Sequence, residues 1–475
     1  KIRKGTRIIA DGAFNNQSID KIVIPSTVIK IGENPFQSDP YYNDNNIKIE
    51  SHSPYFITKG CALYSKDGCA IIAYWGNEKH FVIPQNVKHI GSGCFSNSNS
   101  LEEITFPEGL ESIGKKAFED CYSLQSIDLP QRVKCIGESA FWGCEHLENV
   151  WSLGSVETIE SNTFEGCNLK YIHLPSTLKK IGDNAFNYNV ELKNIELPDS
   201  VEELGKSVFA YCYKFERINL GESVRQIGDF CFYECPIKEI RLPSSLLHLG
   251  VRPFDCVEKI ITKQNSLFAS VGGILKNTKT GNSECYFGKE TSLVLNGIKS
   301  ISPLAFYKSK VENVTIPESV KVISKYAFYE ASKVKSILLS NQLELIEMGA
   351  FSGCSSLVNV IIPETVKEIQ PSSFSGCLSL KSIQFEGSEI KVSESMIQSG
   401  NHLGFPSAYH SHCETMGSST TEMIHCDVDI ETLEVITIIV PPSTKEKFTF
   451  NPVFSTWEYN PMQRRFQIIE IDENS

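Results

Sequence analysis

No run of 18 consecutive apolar residues occurs anywhere in the 475-residue chain, so no segment reads as a membrane-spanning helix. No long Lys/Arg run occurs either, and 57 acidic residues outnumber 45 basic ones. That balance removes the electrostatic footprint on which binding to a phosphate backbone depends, and nucleic acid is excluded as a partner. No C-x-x-C pair, G-x-S-x-G elbow or H-E-x-x-H helix is present, so the sequence offers no zinc finger, hydrolase elbow or metalloprotease site. The chain starts at Lys1 rather than Met, as a trimmed product would, which permits export and a lipid anchor upstream of Lys1. What is there is an ordinary core-forming composition, 41% hydrophobic and 10% aromatic, unlike that of disordered chains.

Periodicity organises it. A Phe, usually preceded by Ala, recurs mostly every 22 or 23 residues at Phe14, Phe36, Phe95, Phe118, Phe141, Phe164, Phe186, Phe209, Phe232, Phe254, Phe306, Phe328, Phe351 and Phe374. The unit that starts at Ala117 reads AFEDCYSLQSIDLPQRVKCIG, with apolar residues at Phe118, Leu124, Ile127, Leu129, Val133 and Ile136. The same six positions return as Phe186, Leu192, Ile195, Leu197, Val201 and Leu204, and as Phe351, Leu357, Val360, Ile362, Val366 and Ile369.

The L-x-x-I-x-L segment alternates apolar and polar at its end, which is strand periodicity, and the Pro that follows donates no ladder hydrogen bond and closes the strand. A single strand of this length cannot bury its apolar face. Copies stacked at about 4.8 Å per rung form a parallel sheet over one continuous core. The V-x-x-I-G half carries no long 3.6-residue stripe and reads as a second short strand or an irregular turn.

Two anchor steps are long, Phe36 to Phe95 and Phe254 to Phe306, and the insertions they hold resemble each other. Phe56, Gly60 and Leu63 match Phe268, Gly272 and Leu275, and both return to register, at Ile90 and Ile301. Asp67-Gly68 and Thr280-Gly281 between apolar runs predict hairpins that project from the array. After Phe374 the register decays across a Ser-, Gly- and His-containing stretch, then resumes at Leu433, Ile436 and Ile438 as a closing strand. The expected divisions are N-terminal repeats (1–52), a hairpin module (53–84), central repeats (85–262), a second hairpin module (263–297), further repeats (298–386) and an irregular segment with a capping repeat (387–475).

The motif IGKKAFEDCYSLQSIDLPQRVKCIG resembles the bacterial surface-antigen class of leucine-rich repeats, the Bacteroides surface protein A type also found in treponemes. The ending, ITIIVPPSTKEKF through Trp457 to FQIIEI, is similar to the closing unit of such proteins in gut Bacteroidales. The fold expected is a leucine-rich-repeat solenoid, β-rich and low in helix, of right-handed stacked coils with a parallel sheet, two inserted hairpin modules and a C-terminal cap. The resemblance implies a cell-surface or secreted protein on the exterior of a bacterial outer membrane that mediates adhesion or recognition. Its ligand would be a protein or glycan, in host extracellular matrix or on another bacterial surface. The family shares no catalytic residues to carry over.

Several features imitate chemistry. Seven of the 16 cysteines, Cys121, Cys144, Cys167, Cys212, Cys235, Cys354 and Cys377, sit three residues after an anchor Phe, where Asn189 and Ser98 stand in other repeats. They read as small buried repeat positions with reduced thiols, because side chains stacked in parallel seldom meet the disulfide torsion. His402, His410, His412, Cys413, His425 and Cys426 gather near the C-terminus; an irregular surface loop, a Cys413–Cys426 disulfide and a metal site all remain open there, and no metal or cofactor is assigned. GLESIGKK (Gly109 to Lys116) and SVEELGKS (Ser200 to Ser207) imitate a phosphate-binding loop. Each fails at one end, and both lie on the V-x-x-I-G register.

Strand alternation supplies the candidate binding site. Residues flanking the Ile of each main strand face outward, giving Asn149 and Trp151, then Tyr171 and His173, Asn194 and Glu196, Arg217 and Asn219, and Glu239 and Arg241. Exposed Trp and Tyr among amides and Arg are what protein and glycan contacts use. The ligand-binding candidates are Asn149, Trp151, Tyr171, His173, Asn194, Arg217 and Arg241. A competing reading folds Trp151 onto an irregular rung, because Ser152 and Leu153 replace the usual Leu-Pro. A non-catalytic recognition role leads; a spacer presenting another element, or an unrecognised hydrolase, are the alternatives.

Overall fold

The computed structural model describes residues 2–14, 19–36, 47–263, 266–387, 390–392, 436–440 and 466–470. These divide into two compact units, Lys1–Phe268 and Ala269–Ser475. Among the described residues there are strands and turns and no helix.

Each repeat makes one coil with two strands. In the coil begun by Ala117 the main strand is Ser126–Leu129, with Ile127 and Leu129 buried, and the second is Cys135–Ile136, with Ile136 buried. Between them the chain turns at Pro130, whose carbonyl accepts from Val133 N–H at 3.0 Å. The V-x-x-I-G half is therefore a strand, only two residues long, because Gly follows at once. A Cβ at Gly114 would lie 2.5 Å from Ser92 N and 2.8 Å from Gly91 C in the coil before, so the coils approach backbone to backbone there.

Adjacent coils bond on three sides. Main strands pair in parallel in short stretches, as Glu196 with Asn219, and second strands pair in longer ladders running from Thr158–Ile159 to His248–Leu249. On the third side the anchor Phe118 N–H donates to Ala140 O at 2.7 Å and Phe141 N–H to Thr163 O at 2.9 Å. This side also sets the aromatic spine of the core. In the first unit Phe95, Phe118, Phe141 and Phe164 stack at 5.0, 5.1 and 5.4 Å with planes within 3°, all fully buried. In the second unit Phe306, Phe328, Phe351 and Phe374 stack at 4.7 to 5.4 Å.

The insertions are hairpins, but they do not stand off the coils. Phe56–Lys59, Ala62–Ser65 and Ala70–Tyr74 form an antiparallel meander whose last strand pairs in parallel with His89–Ile90, so it enters the sheet of second strands. Ile274–Asn277 and Asn282–Tyr286 repeat the arrangement against Ser300–Ile301. Each hairpin ends in a Tyr that behaves as an anchor. Tyr74 N–H donates to Cys94 O at 2.9 Å and its ring lies 5.0 Å from Phe95; Tyr286 N–H donates to Ala305 O at 2.7 Å and its ring lies 5.2 Å from Phe306. The insertions thus start a spine instead of interrupting one.

In the second unit the main sheet has seven strands, ending with Ile436–Val440 and Phe466–Glu470 paired in parallel beyond Ser382–Phe385.

Candidate functional site

The outward strip of the first unit is built on strands Asn149–Leu153, Tyr171–Ile172, Asn194–Glu196, Arg217–Asn219 and Glu239–Arg241. Asn149 and Tyr171 are register partners, and so are Asn194 and Arg217, whereas Arg241 pairs with Ile261. Main-strand pairing lapses between Tyr171–Ile172 and Asn194–Glu196, which belong to separate sheets. Trp151, Tyr171, His173, Asn194, Arg217 and Arg241 are exposed and Asn149 is half-buried.

Trp151 is 53% and Tyr171 46% exposed, and their rings meet at 5.3 Å between centroids with a 40° tilt. The pair exists because the Trp rung is irregular. Ile127 pairs with Val150 but Asp128 pairs with Ser152, so Trp151 is the extra residue of a β-bulge. The turn that follows recovers the register with one residue fewer, Gly154-Ser155 in place of Pro130-Gln131-Arg132, and holds Gly154 at φ +69. A Cβ on Gly154 would lie 2.7 Å from both Pro130 O and Val133 O, so only Gly fits. Exposure and irregularity, opposed as sequence readings, are here one structure: the bulge re-aims the indole toward its neighbour's phenol ring.

Charges beside the strip are paired at the surface. Lys170 Nζ lies 2.7 Å from Glu148, and Glu239 takes Lys259 at 2.9 Å and Arg241 at 3.8 Å. The Lys259 hydrogen bond holds the Glu239 carboxyl below its usual range. His173, Asn194 and Arg217 extend the face away from the aromatic pair.

The other candidates resolve into architecture. All seven repeat cysteines are buried, and each Sγ donates to the carbonyl of the anchor Phe one repeat back, for example Cys121 to Phe95 at 3.1 Å and Cys235 to Phe209 at 2.9 Å. Asn189 does the same job with an amide: its Nδ2 donates to Phe164 O at 2.7 Å and its Oδ1 accepts from Leu169 N–H at 3.2 Å. In GLESIGKK the lysines pair with Glu138 and Glu119, both at 2.8 Å, and in SVEELGKS Lys206 lies 3.4 Å from Asp229. Both segments contain a second strand, Ser112–Ile113 and Glu203–Leu204. The His402 to Cys426 cluster, with Cys413, lies outside the described residues.

One aromatic group escaped sequence reasoning. Tyr188 and Tyr211 stack at 4.5 Å, and Tyr211 meets Tyr213 and Tyr233 edge-on at 6.3 and 5.2 Å. Tyr188 and Tyr211 stand two residues after an anchor Phe, where φ is +58 and +59 and other repeats carry Gly143 and Gly166. The 23-residue spacing of the two Tyr residues was a legible signal for their stack.

Comparison with known proteins fits this architecture. The BspA-type leucine-rich repeat region is matched in six copies over residues 1–61, 73–193, 179–267 and 282–404. No curated protein is matched. Among solved structures, a leucine-rich cell surface protein of Faecalibacterium prausnitzii is 24% identical, with a TM-score of 0.56 over 75% of this chain and 97% of that one. The pneumococcal vaccine antigen PcpA is 19% identical, with a TM-score of 0.48 over 82% and 95%. A leucine-rich repeat protein of Bacteroides ovatus is 21% identical, with a TM-score of 0.43 over 88% and 91%. With its repeat matched over most of its length, the chain belongs to the BspA-type leucine-rich repeat family.

Proposed function

We propose that the chain is a non-catalytic recognition module, displayed on or secreted from a bacterial surface, whose first-unit strip binds a protein or glycan ligand. Host extracellular matrix and another bacterial surface are the sources of ligand this reading favours. The carrying observation is the Trp151–Tyr171 pair, two large exposed rings in mutual contact on adjacent rungs. Rigid aromatic area is gained on binding at little entropic cost, and Asn149 beside the pair, with Arg217 two rungs beyond Tyr171, supplies directional hydrogen bonds. The name of the Faecalibacterium relative, a cell surface protein, agrees with that location.

The test is a glycan array and a panel of purified matrix proteins, probed with the intact chain and with a Trp151→Ala/Tyr171→Ala double variant. The expected result is capture of at least one ligand, weakened at least about tenfold by the double substitution, the cost of one lost hot spot. A ligand held equally well by the variant sinks the patch, and a wild-type chain that binds nothing in either format leaves the spacer reading.

A further inference from the structure

The outer face of the second unit's main sheet differs in kind from that of the first. Strands Ser292–Val294, Asn313–Thr315, Ser336–Leu338, Asn359–Ile362 and Ser382–Phe385 stack in parallel, and their outward residues form two rows along the coil axis. The first row alternates Ser and Asn from Ser292 to Ser382 and bonds along itself: Asn313 Nδ2 donates to Ser292 Oγ at 3.1 Å, Ser336 Oγ to Asn313 Oδ1 at 2.7 Å, and Ser382 Oγ to Asn359 Oδ1 at 2.8 Å. The second row is mostly aliphatic, with Val294 52%, Leu338 63% and Ile361 49% exposed.

None of the ten outward residues on these five rungs is charged, whereas the twelve on the first unit's rungs from Ser126 to Arg241 include Asp128, Glu196, Arg217, Glu239 and Arg241. In a chain of net charge −12 this strip stands apart. Branched aliphatics held in water across successive rungs cost hydration free energy that a partner would recover.

The pattern also says which partner. An occupant must be uncharged and must offer an apolar row beside a row able both to donate and to accept. The face itself has both properties. A two-fold axis parallel to the strands lays aliphatic row on aliphatic row and Ser/Asn row on Ser/Asn row, with the coils antiparallel, and amides and hydroxyls retain donors and acceptors beyond those used within the row. We propose that this face docks a second copy of the chain in that isologous arrangement. The five rungs, with Leu338 on the central one facing its own copy, cover about 24 Å by 10 Å, roughly 240 Å² per partner against the ~800 Å² of a standard stable interface, so the association is weak and concentration-dependent.

Sedimentation equilibrium of the intact chain tests this. The expected result is monomer at about 5 µM and substantial dimer at about 500 µM. Leu338→Glu and Ile361→Glu, both at exposed positions, keep the β circular-dichroism spectrum and stay monomeric throughout. An equimolar mixture of Leu338→Glu with Leu338→Lys chains regains the dimer, because facing charges then oppose. The Trp151→Ala/Tyr171→Ala variant dimerises like wild type, which separates this face from the ligand strip. A wild-type chain that stays monomeric at about 500 µM, or a dimer that Leu338→Glu leaves intact, overturns the proposal.

Discussion

The thiol of Cys144 donates a hydrogen bond to the carbonyl oxygen of Phe118, one repeat back, at 3.1 Å. The group is fully buried, and desolvation pushes its titration well above the usual thiol range. It is a neutral donor that gives a second hydrogen bond to a buried carbonyl already accepting from Cys121 N–H at 3.2 Å.

Thiol labelling should therefore sort by position. Among the cysteines of the described residues, under native conditions Cys135, which is exposed, reacts first with a disulfide reagent; Cys256, exposed but raised in pKa by burial of its sulfur, follows more slowly. Cys121, Cys144, Cys212 and Cys354 label only on unfolding. Peptide mapping after timed alkylation reads the order, and prompt native labelling of Cys144 contradicts it.

Phe141 touches the spine on both sides, at 5.1 Å to Phe118 and 5.4 Å to Phe164, with no exposed surface. Phe141→Ala should cost about 3–5 kcal/mol, and the loss should be greatest in the coils that hold Phe118 and Phe164, since each coil packs on its neighbours. Hydrogen exchange by mass spectrometry locates it. Protection lost evenly across the first unit would show that its coils unfold as one block.

Asp120 stands at the left-handed position two residues after Phe118, with φ +55, and burial, reinforced by Glu119, raises its carboxyl to about 6. A carboxyl whose folded pKa exceeds its unfolded value of 3.8 favours folding below that value, and the contribution is lost as pH rises through 6. Asp120→Asn should thus raise Tm at pH 7.5, by on the order of 1–2 °C once solvent screening of this half-buried group is allowed for, with the gain vanishing near pH 4. A gain that persists at low pH would assign the effect to something other than the charge.

Gly154→Ala should break the bulge that carries Trp151. The substitution forces a Cβ against Pro130 O and Val133 O at φ +69, costing about 1–3 kcal/mol. Thermal unfolding reads the cost, and any ligand captured through Trp151 should be lost alongside. Ligand binding that survives with a lowered Tm would detach recognition from the bulge.

Much of this architecture is legible in the sequence. The six apolar positions of each repeat, the main strand and the outward aim of Trp151 and Tyr171 follow from periods of 2 and 23, and the hairpins from their turn dipeptides, while the V-x-x-I-G half reads equally as strand or irregular turn until its neighbours are in place. What escaped was set by neighbours in space. Tyr74 follows Ala73 and Tyr286 follows Cys285, but neither stands in the V-x-x-I-G-x-x-A-F frame, and only the antiparallel hairpin delivers them to the spine. The hydrogen-bond acceptor of each repeat cysteine lies 26 residues back, beyond any motif. The meeting of Trp151 with Tyr171 needed the bulge, and a bulge is a property of two strands.

The three-sided bonding between successive coils has a mechanical consequence. Tension applied across the ends of either unit loads every coil junction in series, and no junction is shared between distant coils. Yielding would then proceed turn by turn, each event paying out roughly 70 Å of chain while the remaining turns keep their packing. A molecule built this way lengthens under load in steps and sheds force without losing its grip.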